Sequence, residues 1–298
     1  MNIHHLIRKE INLSDLSEEE SELFYKNLFE VYPDTFADID EKDFEENIIK
    51  IVHPIKLKRL EMNKKIFYEF RRICNEQYPD TPFGDYLLKE RKLPSKKVMV
   101  FKLFFVINYF EVNNHLKKKF SLKDLQRSGL YSQKEDGSGN LIFFNHRLII
   151  PYLHNGEIIY LRGRYFDKEN KTNPAPGNSK YMGLSNDTLN LNATKRFYNT
   201  DVLRSMLDGE RLLIVEGELD AIAGEAIGIN TMGIPGSQNI PPLEQFKKLL
   251  KYQITLCGDN DSAGSDMLKK VGDVLLSLKK EYTIKQLTTK DLNEFLAA

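Results

Sequence analysis

The sequence predicts an α/β fold in its last third, a small parallel sheet flanked by helices, preceded by a mixed α+β subdomain and an N-terminal helical region. Three observations carry the prediction. From Arg211 onward, short apolar strand-like runs alternate with helix-like runs. Between residues 140 and 166, strand-like runs flank a hairpin signal. The first 80 residues instead repeat apolar side chains at helical spacing among charged ones. With 298 residues there is material for more than one core, and the texture divides the chain at 1–83, 84–205 and 206–298.

In chain order, SELFYKNLFEVY and NKKIFYEFRRICNEQY read as helices, and Pro79 and Pro82 mark turns that close the first region. Helical texture continues from Gly84 to about Gly129, through GDYLLKERKLP, SKKVMVFKLFFVINYF and SLKDLQRSGL. The glycine-bearing KEDGSGN turn then introduces the strand-like runs NLIFF, HRLIIPYL and EIIYLRGRYF, the last two joined by HNGE as a hairpin. After the loop NKTNPAPGNSK, RLLIV is apolar throughout, as a strand buried on both faces should be. LDAIAGEAIG (helix), NTMGIPG (strand), PLEQFKKLLKY (helix), ITLC (strand), SDMLKKVGDVLLSL (helix) and YTIKQL (strand) complete a parallel unit.

Composition narrows the function classes. No apolar run approaches the roughly 18–20 residues that span a bilayer, and the first 20 residues lack the basic-then-apolar order of a signal peptide; a cytoplasmic protein with no membrane partner is expected. Cys74 and Cys257 stand far apart without His or Cys at zinc-site spacing, so they are expected to be reduced buried thiols and no zinc is expected. The zero net charge hides an asymmetry. Residues 1–55 carry 14 acidic and 5 basic side chains, residues 56–150 carry 20 basic and 10 acidic. Whether the basic set shares one face, as nucleic-acid binding requires, is a question for the structure.

Acidic residues fall where strands should end. Glu216 follows RLLIV, with Asp220 four residues on; Asp259 and Asp261 follow ITLC; Asp291 follows the last strand. In an open parallel sheet these loops form the ligand-binding edge. Each piece has a plain structural reading: Glu216 and Asp220 suit a helix N-terminus, and DNDSAG suits a turn and cap. Together they place about five carboxylates at one edge, where mutual repulsion favours a hard divalent cation, Mg²⁺ or Mn²⁺. Gly217 and Gly264 allow close approach of backbone or phosphate.

Glu216-Gly217-Glu218-Leu219-Asp220 followed by Asp259-Asn260-Asp261-Ser262-Ala263-Gly264 resembles the signature of the Toprim domain, shared by DnaG-type primases, topoisomerases, OLD-family nucleases and small recombination or RNA-maturation proteins. The full DxDxAG form is most similar to primases. Lys290-Asp291-Leu292-Asn293-Glu294 resembles the end of phage and mitochondrial primase–helicase Toprim domains, with Asn293 where bacterial primases more often have an acid. Upstream, DYLLKERKLPSKKVMVFKLFFV resembles the start of the DnaG catalytic core. Arg147, Pro151, Gly156 and Gly163-Arg164 match its RxxFPxxxxxGxxxxxxGR segment; Ser179-Lys180-Tyr181-Met182 resembles KYLNSP and Lys195-Arg196-Phe197-Tyr198 the K-x-x-LY segment.

The resemblance, which runs from about residue 84 to the end, implies template-directed synthesis of short RNA primers on single-stranded DNA. Glu216, Asp259 and Asp261 would be the catalytic, metal-holding acids, supported by Asp220 and Asp291; Glu216 as general base is the alternative. Arg147, Arg164, Lys180 and Lys195 would form a basic ridge for triphosphate and template, joined by Lys290 and Asn293 and, more weakly, Arg162 and Arg196. Lys117-Lys118-Lys119 reads as a solvated helix end that at most touches DNA non-specifically. The resemblance further implies ribonucleoside triphosphates and a replicative helicase or separate template-recognition protein as partners. Residues 1–80 lack the zinc ligands that begin such primases, and with the sequence ending at Ala298 no helicase is expected within it, as for a minimal enzyme or the excised core of a longer protein. A Toprim nuclease and a non-catalytic nucleic-acid-binding module remain the alternatives. A topoisomerase would need a separate nucleophilic tyrosine domain.

Overall fold

Ser17 opens the first helix with a reciprocal cap. Its hydroxyl accepts from the Glu20 amide and the Glu20 carboxylate accepts from the Ser17 amide. In the computed structural model, which describes residues 13, 16–32, 41–75, 82–167, 169, 171–186, 191–287 and 292, this helix α1 (Glu18–Val31) packs on a long helix α2 (Glu41–Asn75). Phe24, Leu28, Phe44, Ile48, Ile51 and Ile55 bury a core of their own between them. Glu20 also receives two hydrogen bonds from Arg59, at 2.9 and 3.1 Å, in a buried ion pair. The second half of α2 serves a different core: Ile66, Phe67, Phe70, Ile73 and Cys74 join the central hydrophobic cluster. The boundary expected near residue 83 therefore falls after α2 has already entered that core.

Pro79 lies outside the described residues. Pro82 opens a short helix α3 (Pro82–Asp85) in place of a turn, continued by a π-turn over Tyr86–Glu90; proline suits a first helical position, where its missing N–H has no intrahelical partner to lose. Helix α4 (Ser95–Val100) follows. The helical run expected through Phe110 then breaks at Lys102, whose φ of 56° is left-handed. Phe104–Phe105 instead form β1, paired antiparallel with β2 (Leu148–His154), and both phenylalanines are buried. Helices α5 (Tyr109–Lys119) and α6 (Leu122–Arg127) start at Asn108 and Ser121, whose side chains cap them. The expected strand NLIFF makes one isolated bridge, Leu141 with Tyr131. That bridge is closed by Ile142 N–H to the Leu130 carbonyl and Ser132 N–H to the Asn140 carbonyl, while Leu141 N–H is claimed by the Asn113 side chain.

The HNGE hairpin forms as read. Strands β2 and β3 (Glu157–Arg164) pair antiparallel from Leu148–Arg164 to His154–Glu157. Asn155 and Gly156 take the two left-handed φ values, 55° and 74°, that a two-residue turn of this hand needs. The Asp201 carboxylate accepts both turn amides at 2.8 Å. Strand β4 (Tyr181–Gly183) completes the four-stranded sheet, β1-β2-β3-β4.

The second sheet is wholly parallel, in the order β6-β5-β7-β8, formed by Thr231–Ile234, Arg211–Glu216, Gln253–Cys257 and Tyr282–Ile284. Helices α7 (Glu218–Ala226), α8 (Leu243–Lys247) and α9 (Ser262–Ser277) connect its strands. One of its faces builds a separate core around Leu212, Ile214, Met232, Phe246 and Val271. The other, through Leu213, Val215, Leu219 and Ile222, joins the core under the antiparallel sheet. Among the described residues no helix is long and apolar enough to cross a membrane.

Candidate active site

The first strand of the parallel sheet, β5, lies between β6 and β7, so the chain leaves it in opposite directions on either side. That is the topological switch point, where an open α/β sheet has a crevice beyond its strand ends. Glu216 ends β5, and Asp259 and Asp261 follow β7, its hydrogen-bonded neighbour. The backbone is pressed close here. Gly217 has φ 101° and donates its N–H to Ile234, and a Cβ on Gly233 would collide with the Gly217 carbonyl. Asp261 caps α9, accepting from the Gly264 amide at 2.8 Å. A Cβ on Gly264 would run into the Asp259 backbone, which accounts for glycine at the end of DNDSAG.

Glu216 is half-buried, and one of its carboxylate oxygens is buried without a hydrogen-bond partner. Burial, and then the charge of Asp261, push its carboxyl above the ordinary range, partly offset by the Ser237 backbone. Asp220 is buried in the first turn of α7. It and Asp259 both bear on Cys257, whose thiol is pushed up to about 11 by burial and then by these two charges. Among the described residues no three His, Cys, Asp or Glu side chains stand close enough together to hold a metal. Asp291, Lys290 and Asn293 lie outside the described residues. Acceptor-only oxygens that repel one another, one of them buried and unpartnered, nevertheless fit a hard cation.

Of the basic residues, three gather at one end of the antiparallel sheet. Arg164 ends β3 opposite Leu148, next to Arg147, and the Lys180 carbonyl accepts from the amide of Tyr165. Arg164 is buried, stacked 5.0 Å from the Tyr86 ring, and its Nε and Nη1 have no hydrogen-bond acceptor. Arg147 is half-buried and donates Nε to the Phe144 carbonyl. Lys195 is not brought to this group. It lines a cleft of about 480 Å³ beside His154 and Asn155, at the hairpin end of the same sheet. Arg196 holds the Ala193 and Leu191 carbonyls and stacks 4.6 Å from Tyr160, so it shapes its own loop.

Two residues gain a role that the sequence did not disclose. Glu218 is fully buried at the start of α7 and accepts from the Tyr152 hydroxyl at 2.7 Å and from Arg162 at 2.6 Å. Arg162 also lies 4.4 Å over the Tyr181 ring. Burial alone would lower the Arg162 pKa, but Glu218 and Tyr152 hold it up. The pair ties the antiparallel sheet to the parallel one two residues from Glu216. Arg162, read from the sequence as a weaker member of the basic ridge, is thus engaged by a buried carboxylate.

A parallel sheet with acids at its switch point, joined to an antiparallel subdomain that presents arginines, defines a two-part α/β core. A family model described as Toprim-like matches residues 213–296, and one described as DNA primase catalytic core, N-terminal domain, matches residues 72–203. The chain belongs to the family of DnaG-type primase catalytic cores. It is 25% identical over 247 residues to a DNA primase of Listeria monocytogenes, covering 81% of this chain and 38% of the relative. It is 33% identical over 135 residues to the gene 57 protein of Mycobacterium phage D29, covering 43% of this chain and 77% of that protein. The chain thus spans well under half the length of the Listeria primase. Among solved structures, the DnaG primase catalytic domain bound to ssDNA aligns with TM-score 0.60 at 17% identity, over 81% of this chain and 76% of that one. The RNA polymerase domain of Mycobacterium tuberculosis primase DnaG, in complex with double-stranded DNA, aligns with TM-score 0.63 at 18% identity, over 78% and 75%. These likenesses show the fold.

Proposed function

We propose that the chain is a primase core that joins ribonucleotides into short primers on a single-stranded DNA template. The observation that carries the reading is the switch-point edge, where Glu216 keeps a buried oxygen unpartnered beside Asp261. Glu216, Asp259 and Asp261, with Asp220 and Asp291 in support, would hold Mg²⁺ or Mn²⁺. Bound there, such an ion would supply charge stabilisation for a triphosphate and an activated 3′-hydroxyl. Arg164 offers two unmatched N–H groups in a buried setting, where a phosphate oxygen is the natural acceptor. Arg147 and Lys180 extend that cationic end towards a template strand, while Lys195, Lys290 and Asn293 are secondary candidates for nucleotide contact. The Tyr181 ring lies against both guanidinium groups, 4.4 Å from that of Arg162 and 5.9 Å from that of Arg164. A replicative helicase or template-recognition protein is the expected partner, in the cytoplasm.

The test is primer synthesis by the purified protein on random single-stranded DNA with labelled ribonucleotides and Mg²⁺ or Mn²⁺. Glu216→Gln and Asp259→Asn should each reduce synthesis by roughly 100-fold or more, because each removes an anionic ligand from the metal ion that would stabilise the reacting phosphates. Metal-dependent DNA cleavage without synthesis would replace this reading with a nuclease. Template binding with neither activity would leave a binding module.

A further inference from the structure

Part of the basic excess between residues 56 and 150 lines a groove that holds none of the candidate active-site residues. Along the second half of α2, Lys64, Lys65, Tyr68, Arg71 and Arg72 recur at the three- and four-residue spacing that puts side chains on one side of a helix. Two adjoining depressions share Tyr68 and Arg71 as their common wall. The larger, about 440 Å³, is also lined by Lys64, Lys65 and Lys102; the smaller, about 270 Å³, by Arg72 and Asn75. Five cations thus line the groove against two carboxylates, Glu61 and Glu157, both engaged by Lys64 at 2.8 and 2.7 Å.

Tyr68 decides what the groove suits. Tyr68 is 68% exposed although its helical neighbour Phe67 is fully buried. An aromatic ring raised between cations is the arrangement that binds single-stranded nucleic acid, with bases on the ring and phosphates on the flanking charges. The cations are braced for it. Arg71 donates to the Lys102 carbonyl, and Lys102 to the Gly156 carbonyl. Arg72 is held at 2.8 Å by Glu69, a carboxylate that also serves His115 and Lys119, so the cluster keeps surplus positive charge.

We propose that this α2 groove is a second binding surface for single-stranded DNA. It lies by the hairpin end of the antiparallel sheet, opposite the Arg147–Arg164 end. A strand reaching both would be held at two points. The proposal extends the template-binding reading above but does not depend on catalysis.

The experiment is fluorescence anisotropy of the full chain with labelled oligothymidylates of about 6 to about 30 nucleotides, without ribonucleotides, over a salt series. Tyr68→Ala should weaken the longest oligonucleotide about five- to tenfold and leave the shortest unchanged, while Tyr68→Phe restores binding. Lys65→Gln should flatten the salt slope for the long oligonucleotide by about 0.7. Unchanged affinity and slope in these variants would overturn the proposal. So would equal sensitivity of polyglutamate binding to Tyr68→Ala, which marks an acidic-peptide surface, or a Tyr68→Phe variant as weak as Tyr68→Ala. Glu216→Gln measured alongside separates the two claims. Retained length-dependent binding with no synthesis by wild type would fail the primase reading and keep this one.

Discussion

Arg164 shows how a single residue can carry functional information that packing alone does not explain. Leaving two guanidinium N–H groups unsatisfied in a buried site costs on the order of 1–3 kcal/mol or more, and the Tyr86 and Tyr181 rings return only part of that. An anionic ligand recovers the rest. Arg164→Lys keeps the charge but loses the planar pair of donors. It should raise the KM for ribonucleotide or template by roughly tenfold, about 1.4 kcal/mol, with a smaller change in kcat, and a full kinetic series reads the two apart. An unchanged KM would reduce Arg164 to a packing residue. At this scale the sequence was legible where a residue follows a strand: Glu216, Asp259 and Asp261 stand at the edge that their spacing implied. Glu218 was not legible. Its role depends on Tyr152 and Arg162, which lie 66 and 56 residues away in sequence, and no local pattern reports such a contact.

At the scale of elements, α2 joins two cores and is fastened at both. Near its middle Arg59 is buried against Glu20 of α1; in its second half Glu69, with a side chain only 3% exposed, collects Arg72, His115 and Lys119 and so binds α2 to α5. The hydrogen bond from Arg72 is the largest of the influences that hold the Glu69 carboxyl well below its ordinary value of 4.5, against the opposing effect of burial. A depressed carboxyl pKa in the folded state means stabilisation that is fully present above the unfolded value and is lost as pH falls below about 4.5. Glu69→Gln should therefore cost about 1.5–3 kcal/mol at neutral pH and flatten the acid limb of stability below pH 4.5, as read by urea unfolding across pH. An unaltered acid limb would refute the assignment. The alternating strands of the parallel sheet and the β2–β3 hairpin were legible because each carries its own apolar period and turn residues. Phe104–Phe105 and NLIFF were not. In both, the deciding hydrogen bonds run to β2, Asn113 or Leu130, so tertiary partners overrode a local texture that read as helix in one and strand in the other.

For the whole molecule, what matters is that the acids and the arginines belong to different sheets and must still be held in register. The shared core, to which Val215 and Leu219 contribute from one side and Phe105 and Ile150 from the other, supplies adhesion with little direction, because apolar burial is non-directional. Direction comes from polar contacts: the Tyr198–Gly233 backbone bridge, the Lys97–Glu225 ion pair at 3.7 Å and, buried and charged, the Glu218–Arg162–Tyr152 contact, hydrogen-bonded at 2.6 and 2.7 Å. Removing one partner of such a pair strands the other charge away from water and typically costs about 3–5 kcal/mol, whereas removing both leaves no stranded charge. Glu218→Gln and Arg162→Met should accordingly each destabilise the fold by about that amount, and the double variant by clearly less than their sum, a coupling of about 2 kcal/mol or more in a urea double-mutant cycle. The double variant should also synthesise primers poorly at a temperature where it remains folded, because the two sheets no longer hold Glu216 and Arg164 at a fixed separation. Additive single effects would mean that the pair does not couple the sheets. Full activity in the folded double variant would mean that the hydrophobic core, the Tyr198–Gly233 bridge and the Lys97–Glu225 ion pair set their register without it.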